Sequence, residues 1–281
     1  MQDGIIQLGL IQMNTTQDVE ANLQTAARLA ATAVSRGAQL LVFPERVNYI
    51  GPNVWEHAQE SHGRLTGFFA ALAAEHQVYV HCGSLTQRAA GGKTDNVSQL
   101  FSPAGELLAS YHKLHMFDVD IDGGLRHRES DTTGGGTQIV VAHTKLADIG
   151  FAICYDLRFP ELFRLLTDAG ARLIILPADF TKKTGEAHWE TLLRARAIEN
   201  GCFVAACGQI GDKKIVEAYG HSMVIDPWGS VLGSLKEQED CLIVPVDLSQ
   251  TETVRNQIPS LKNRRKDIYQ LSSDFIKEYN E

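Results

Sequence analysis

The amino-acid sequence predicts a layered domain of the α/β or α+β class, in which helices cover β-sheets. Short apolar runs rich in β-branched residues recur along the chain, helical patterns separate several of them, and hairpin-like turns join others. The chain has 281 residues, of which 44% are hydrophobic and 21% are charged. A chain of this size and composition can bury a full hydrophobic core without disulfides or a structural metal.

Ten apolar runs predict the strands of this domain. They are 4–12, 39–43, 78–83, 97–102, 138–142, 148–153, 172–177, 203–207, 221–226 and 241–246. The first run is too short to span a bilayer and lacks the basic flank of a signal peptide. We therefore interpret it as a buried strand and expect a cytoplasmic protein.

Four segments have the residue spacing of helices. They are 19–36, 65–76, 160–169 and 186–200. The first ends at Gly37, a residue type that commonly follows the last turn of a helix. The last is expected to begin after Gly185 and to stop near Gly201, because glycine disfavours helix interiors.

Turn residues and the absence of linkers predict how these elements are organised. Residues 103–105 (Pro-Ala-Gly) and 227–229 (Pro-Trp-Gly) predict two hairpins. The sequence shows no internal repeat and no linker rich in proline, glycine or serine. We therefore expect one domain over 1–281, with about 248–281 as a C-terminal tail.

Charge and cysteine usage narrow the classes of partner and cofactor. The net charge of −8 and the pI near 5.7 argue against binding to nucleic acid or to an anionic membrane, both of which need a basic surface. The one basic cluster, 262–266, is short. Five cysteines without a Cys-x-x-Cys pair fit neither a disulfide framework nor a zinc site, and the ten histidines show no metal-binding spacing. We expect free thiols and no metal.

Three strand-like runs each end at a junction with one ionisable residue, and the ends of strands are where α/β proteins place their sites. The residues are Glu45, Lys113 and Cys154. Each has an ordinary structural explanation when it is taken alone. Glu45 could accept backbone N–H groups at a turn, Lys113 could be a surface lysine with a buried stem, and Cys154 could be a small core side chain.

The combination of these three residue types points to chemistry. A thiol that attacks a carbonyl group needs a base for its proton, a cation for the developing oxyanion and an acid for the leaving amine. A carboxylate, an ammonium and a thiol supply that set. The start of a helix and the charge of Lys113 would favour the thiolate form of Cys154 during attack.

The three junctions resemble the signature of the nitrilase superfamily of carbon-nitrogen hydrolases. The resembling segments are Phe-Pro-Glu (43–45), Tyr-His-Lys-Leu-His-Met-Phe-Asp (111–118) and Gly-Phe-Ala-Ile-Cys-Tyr-Asp-Leu-Arg-Phe-Pro-Glu (150–161). Downstream, four further segments resemble the branch that contains ω-amidase and deaminated glutathione amidase. They lie within 187–199, 219–222, 226–229 and 257–269. The resemblance covers nearly the whole chain.

This resemblance implies a four-layer α-β-β-α nitrilase-type sandwich that forms a homodimer and needs no metal or organic cofactor. It also implies that Cys154 is the nucleophile, Glu45 the general base and Lys113 the cation over the tetrahedral intermediate. The backbone N–H of Tyr155 would complete the oxyanion hole. Glu129 matches a second glutamate of the family, which would position Lys113.

The branch acts on amides of small α-keto acids, so the resemblance implies a small-molecule amide substrate that also bears a carboxylate. Arg158 is the expected partner for that carboxylate because a guanidinium can bind it through two hydrogen bonds. An ion pair of Arg158 with Glu161 or Asp156 is the alternative. Further residues match pocket positions of the branch, although they could equally be core aromatics and a helix cap. These are Tyr49, Phe180 and Thr184.

Within the branch, we expect deaminated glutathione as the substrate and ω-amidase activity on α-ketoglutaramate as the alternative. Tyr219 and Met223 resemble deaminated glutathione amidase more than ω-amidase, and Asp122 stands where ω-amidases tend to carry proline. Residues 126–128 (Arg-His-Arg) could meet a second carboxylate or could form a solvated loop. A non-catalytic scaffold of the same fold is the remaining alternative. The stretch 220–224 lacks the final glycine of a serine-hydrolase elbow.

Overall fold

The computed structural model describes residues 4–121, 125–213 and 216–281. Its strands in chain order are β1 (Ile5–Gln12), β2 (Leu40–Val42), β3 (Tyr79–His81), β4 (Leu85–Arg88), β5 (Thr94–Phe101), β6 (Leu107–His112), β7 (Asp118–Ile121), β8 (Leu125–Arg128), β9 (Thr133–Gly134), β10 (Ile139–His143), β11 (Asp148–Phe151), β12 (Leu173–Ala178), β13 (Phe203–Gly208), β14 (Ile210–Asp212), β15 (Glu217–Tyr219), β16 (Met223–Ile225), β17 (Val231–Ser234), β18 (Asp240–Asp247) and β19 (Ile276–Asn280). The ten predicted runs fall on β1, β2, β3, β5, β10, β11, β12, β13, β16 and β18, so those strand predictions are confirmed.

The helices are α1 (Val19–Ser35), α2 (Val54–His57), α3 (Arg64–His76), α4 (Pro160–Asp168), α5 (Lys182–Asn200) and α6 (Ser249–Gln257). Three short 3₁₀ helices lie at Ala90–Gly92, Glu129–Asp131 and Cys154–Arg158. The predictions for α1, α3 and α4 are confirmed within one residue at each end. None of the described helices is long and apolar enough to cross a membrane.

The predicted start of α5 is wrong. The helix begins at Lys182, and the Thr181 side chain caps it by accepting the backbone N–H of Thr184. Gly185 therefore lies inside the first turn instead of preceding the helix. A Cβ atom at this position would lie 2.3 Å from the Tyr219 ring, so glycine is required here for close packing and not for ending a helix.

Two large sheets form the centre of the described part of the protein. The first has the order β18-β1-β2-β3-β5-β4, with β6 and β9 also paired to β5. The second has the order β17-β16-β13-β12-β11-β10-β19. Strands β1, β2 and β3 run parallel in the first sheet, and β11, β12 and β13 run parallel in the second. Their carboxyl ends therefore form one edge of each sheet, where sites are commonly built.

The two sheets pack face to face, and helices cover their outer faces. One buried cluster joins Leu10 and Val42 of the first sheet with Phe151 and Ile174 of the second. A second cluster joins the first sheet to α1 and α3 through residues such as Leu29 and Phe69. Helices α4 and α5 pack on the second sheet. The predicted α-β-β-α layers are confirmed.

The last part of the chain returns to the second sheet. After α6, residues 258–275 run without a regular element, and β19 then pairs in parallel with β10. Glu281 accepts a hydrogen bond from the Tyr79 hydroxyl at 2.8 Å and pairs with Lys145 at 3.2 Å. These contacts attach the end of the chain to both sheets.

Gly83 allows the chain to turn after β3, where it packs against the backbone of Phe43 and Pro44, just before Glu45. Its φ is +69°, and a Cβ atom there would lie 2.0 Å from the Pro44 carbonyl oxygen and 2.5 Å from that of Phe43. A side chain at this position is therefore excluded both by the backbone conformation and by the neighbouring backbone.

We predict that Gly83→Ala lowers the free energy of unfolding by about 2 kcal/mol or more, from positive-φ strain and overpacking. The measurement is urea denaturation. Gly67→Ala on α3 is the matched control, because its Cβ would meet nothing within 4 Å; it should stabilise the protein by roughly 0.5–1 kcal/mol. Equal stabilities for the two variants would contradict the prediction.

Candidate active site

The three ionisable residues predicted from the sequence come together where strand ends of the two sheets meet. Glu45 follows β2, Lys113 follows β6, and Cys154 follows β11. All three side chains are buried. Asp179 follows β12 at the same place, so both sheets contribute to one cluster.

Lys113 is held between two carboxylates. Its Nζ donates to Glu45 Oε1 at 2.9 Å and to Glu129 Oε2 at 2.9 Å. Arg46 also donates to Glu129, at 3.0 Å. Burial raises the pKa of the Glu129 carboxyl, but the charges of Lys113 and Arg46 together outweigh burial and lower this pKa to about 2. The two acidic neighbours raise the pKa of Lys113, so this lysine stays charged.

Glu45 is fixed at both of its carboxylate oxygens. Oε1 accepts from Lys113 and also from Asn96 Nδ2 at 2.7 Å, and Oε2 accepts the backbone N–H of Asp179 at 2.8 Å. Gln209 Nε2 donates to the Glu45 backbone carbonyl at 2.9 Å. No local pattern in the sequence indicates Asn96, Asp179 or Gln209 as partners of Glu45, because each is distant from Glu45 along the chain.

Cys154 opens the 3₁₀ helix after β11 with a φ of +48°, a conformation uncommon for a residue with a side chain. Burial raises the pKa of its thiol well above the usual value, and so does Glu45 through its charge and a hydrogen bond. Lys113 lowers the pKa, but by less. These effects favour the protonated thiol in the free site, so the reaction needs a base; the expectation that the thiolate is favoured during attack stays a prediction.

Asp156 holds the turn that carries Cys154. Its carboxylate is fully buried and accepts the Ile153 backbone N–H at 2.8 Å and the Tyr111 hydroxyl at 2.7 Å. It also contacts His115, through the backbone N–H at 3.1 Å and Nδ1 at 2.7 Å. Tyr111 and His115 flank Lys113 in sequence, so Asp156 ties the lysine segment to the cysteine turn. The sequence analysis considered Asp156 only as a partner for Arg158.

A narrow cleft of about 20 Å³, roughly the space of one water molecule, adjoins Cys154. Its walls include five of the predicted site residues together with three others. They are Cys154, Tyr155, Arg158, Phe180 and Thr184, with Phe117, Asp179 and Thr181. Thr184 also serves as part of the α5 cap, since its hydroxyl lies 2.8 Å from that of Thr181.

Arg158 lies over aromatic rings and has no carboxylate partner among the described residues. Its guanidinium is 5.3 Å from the Phe180 ring centre and 5.8 Å from that of Tyr155, and Nη1 lies 3.3 Å from His188 Nδ1. The alternative ion pair with Glu161 or Asp156 is not formed. The positive charge of Arg158 therefore stands at the cleft without a protein anion.

Other predicted positions lie outside the cleft wall. The Tyr49 hydroxyl donates to the Pro52 carbonyl at 2.5 Å, and its ring stacks on His57. Arg126 and Arg128 are exposed on β8 and lie 3.9 Å from Asp120 and Asp131. The Asp122 position lies outside the described residues.

A larger cavity of about 490 Å³ lies elsewhere, next to β10 and β19. Its polar groups already pair with each other, as Arg172 does with Asp148 and Lys145 with Glu281. It contains neither Cys154 nor Lys113, so we place the site at the smaller cleft. In the described parts of the chain, no group of three or more histidine, cysteine or acidic side chains converges as a metal site would.

Comparisons with known proteins agree with this geometry. The family model for carbon-nitrogen hydrolases matches residues 7–256. Omega-amidase NIT2 of Mus musculus is 36% identical over 269 residues, covering 95% of this chain and 97% of the relative. Deaminated glutathione amidase of Synechocystis sp. is 38% identical over 262 residues, covering 90% of this chain and 96% of the relative.

Solved structures show the same fold. The C. elegans NitFhit protein matches with a TM-score of 0.89 at 34% identity, covering 98% of this chain and 69% of that chain. As a curated sequence, that fusion protein is 36% identical, and this chain spans 62% of its length. Nit3 of Saccharomyces cerevisiae, described as a member of branch 10 of the nitrilase superfamily, matches with a TM-score of 0.83 at 30% identity, covering 93% of this chain and 97% of that chain. The strand-end cluster of carboxylate, ammonium and thiol thus lies in a chain that belongs to the carbon-nitrogen hydrolases of the nitrilase superfamily, enzymes with amidase activity on carbon–nitrogen bonds.

Proposed function

We propose that this amidase hydrolyses deaminated glutathione to α-ketoglutarate and cysteinylglycine, with Cys154 as the nucleophile. The observation that carries the mechanism is the position of Glu45, whose carboxylate accepts a hydrogen bond from Lys113 and is near enough to raise the pKa of the Cys154 thiol. The relative at 38% identity that is named deaminated glutathione amidase supports the substrate. The second candidate is α-ketoglutaramate, which relatives named omega-amidase support at 36% identity.

The first half of the reaction forms a thioester. Glu45 takes the thiol proton as the Cys154 sulfur attacks the amide carbonyl carbon, and the carbonyl oxygen becomes an oxyanion. Lys113 contacts Glu45 Oε1 and both carboxylate oxygens of Glu129, and its positive charge would stabilise this oxyanion. The backbone N–H of Tyr155 is the second donor. The C–N bond then breaks, and the leaving amine takes the proton from Glu45.

The second half releases the acid. A water molecule gives a proton to Glu45 and attacks the thioester carbonyl, and the same two donors bind the new oxyanion. The C–S bond breaks, the carboxylic acid leaves, and Glu45 returns the proton to the sulfur. The high pKa of the Cys154 thiol fits this cycle, because the proton moves to and from Glu45 and the resting site stores no thiolate.

Substrate recognition is assigned to the side chains of the cleft wall. Arg158 would bind the substrate carboxylate, because its fork has no carboxylate partner in the described chain. Phe180 and Thr184 would contact the acyl chain. Tyr219 supports this wall, since its backbone N–H donates to the Phe180 carbonyl at 2.8 Å. Tyr49 stays a predicted binding residue, although its hydroxyl is engaged by Pro52.

We further propose that the protein acts as a cytoplasmic homodimer, as expected for the superfamily. Large apolar side chains are exposed in the C-terminal segment and would suit burial against a second copy. They include Ile258, Ile268, Tyr269 and Phe275.

The central test compares deaminated glutathione with α-ketoglutaramate at equal, low concentrations. We expect dipeptide release from the first substrate to exceed ammonia release from the second. Cys154→Ala should lower both rates at least about a thousandfold while the fold remains, because the reaction loses its nucleophile. Turnover by this variant would refute the nucleophile assignment, and a preference for α-ketoglutaramate would make the protein an ω-amidase.

Arg158→Lys should raise the KM for a substrate that bears a carboxylate by about tenfold, because a lysine cannot reproduce the two hydrogen bonds of the guanidinium. Simple amides without a carboxylate should change little. The measurement is KM for both substrate types with the wild-type protein and the variant. An equal rise in KM for both substrate types would show that Arg158 has a structural role.

Glu129→Gln should lower kcat about tenfold or more while KM changes little, because Lys113 and Arg46 lose their shared carboxylate. Circular dichroism at the assay temperature would verify that the variant is folded. An unchanged kcat would show that Glu129 does not position Lys113.

A further inference from the structure

The Asp179 carboxyl group has no hydrogen-bond partner among the described residues, although it lies at the centre of the site. It lines the cleft beside Cys154, and its Oδ1 atom is buried without a partner. Its backbone N–H donates to Glu45 Oε2 at 2.8 Å and lies against the Cys154 thiol. A buried acceptor left unpaired is costly, so the carboxyl group is suited to accept a hydrogen bond from a substrate bound in the cleft.

The neighbouring cation Lys213 does not supply that donor. Lys213 is near enough to act on the charge of Asp179, but its three N–H groups are already used. They donate to Asn14 Oδ1 at 2.8 Å, the Thr15 carbonyl at 2.9 Å and Gln209 Oε1 at 3.2 Å. Lys213 therefore stabilises the negative charge of Asp179 without donating a hydrogen bond to the Asp179 carboxyl oxygens.

The cleft also limits which substrate group can reach Asp179. The cleft beside Cys154 is narrow, at about 20 Å³, and Asp179 forms part of its wall. In the proposed mechanism the carbonyl oxygen points to Lys113 and Tyr155, and the acyl chain with its carboxylate points to Arg158. The third substituent of the carbonyl carbon is the amide nitrogen, and Asp179 is the acidic residue of the cleft wall that has a buried, unpaired oxygen.

We propose that Asp179 is a substrate-binding residue whose carboxylate accepts a hydrogen bond from the N–H of the scissile amide, which makes the site prefer amides to esters of the same acid. An ester offers no hydrogen there, so its oxygen would face the carboxylate without a donor. This inference rests on the proposed role of Cys154 as the nucleophile, but it holds for either of the two proposed substrates.

The proposal has a dependence on pH, because only the ionised carboxyl is a pure acceptor. Burial and the charge of Glu45 together raise the pKa of Asp179 to about 6. The positive charges of Lys213, Arg46 and Lys113 act in the opposite direction and lower this pKa. The preference for amides is therefore expected to appear as the pH rises through about 6 and to be lost below it.

The experiment uses alkylation of Cys154 in the full chain, so that it does not depend on which substrate is correct. 2-Chloroacetamide carries the amide N–H groups, and methyl chloroacetate is its ester counterpart. Each reagent forms an S–C bond to Cys154 as its C–Cl bond breaks; chloride leaves, and the thiol proton passes to Glu45. Rates are measured by intact mass, with Cys154→Ala as the background for alkylation of the other four cysteines.

Asp179→Ala should slow the reaction with chloroacetamide about tenfold or more relative to the reaction with the ester. The amide-to-ester ratio of the wild-type protein should rise with a midpoint near pH 6, and Asp179→Asn should abolish that rise. Glu75→Ala, which removes an exposed carboxylate on α3 away from the cleft, should leave the ratio unchanged.

An equal slowing of both reagents in Asp179→Ala, or a wild-type ratio independent of pH, would overturn the proposal. If Asp179→Ala does not fold, the wild-type ratio and Asp179→Asn decide the question. If the wild-type protein cleaves neither keto-acid amide but shows the predicted amide-to-ester ratio, the proposed substrates are wrong and the role of Asp179 is supported.

Discussion

The site depends on burying one lysine ammonium between two carboxylates. Lys113 is almost fully buried and contacts Glu45 and Glu129 at hydrogen-bond distance. Removing one partner from such a group leaves an uncompensated buried charge, which typically costs about 3–5 kcal/mol. The chain segments after β2, after β6 and after β8 must therefore meet at one point, and this requirement constrains the carboxyl-terminal edge of the first sheet.

Burial and neighbouring charges explain the state of the nucleophile. Burial and the charge of Glu45 raise the pKa of the Cys154 thiol, and the charge of Lys113 lowers it by less. The protonated thiol is therefore favoured, and the proposed reaction starts with proton transfer to Glu45.

The packing of the two sheets also sets the relative positions of the residues that take part in the proposed reaction. The first sheet contributes Glu45 and Lys113, and the second contributes Cys154 and Asp179. The buried contacts of Asp156 with Tyr111 and His115 join the two sets. A change in the core between the sheets would shift base and nucleophile relative to each other, so the core and the site are one structural unit.

The sequence alone predicted a layered α/β or α+β domain and ten of the strands, because strand periodicity is a local feature, and its resemblance to the nitrilase superfamily supplied the four layers and the candidate residues Glu45, Lys113, Cys154 and Glu129. It could not determine which distant strands meet, and so it did not identify Asn96, Asp179 or Lys213. It also misplaced the start of α5, since the packing of Tyr219 on Gly185 is a tertiary contact. The pKa of Cys154 was decided by burial and by the carboxylate of Glu45. Only the tertiary structure decided these features, because desolvation and charge proximity depend on distance in space and not on separation in sequence.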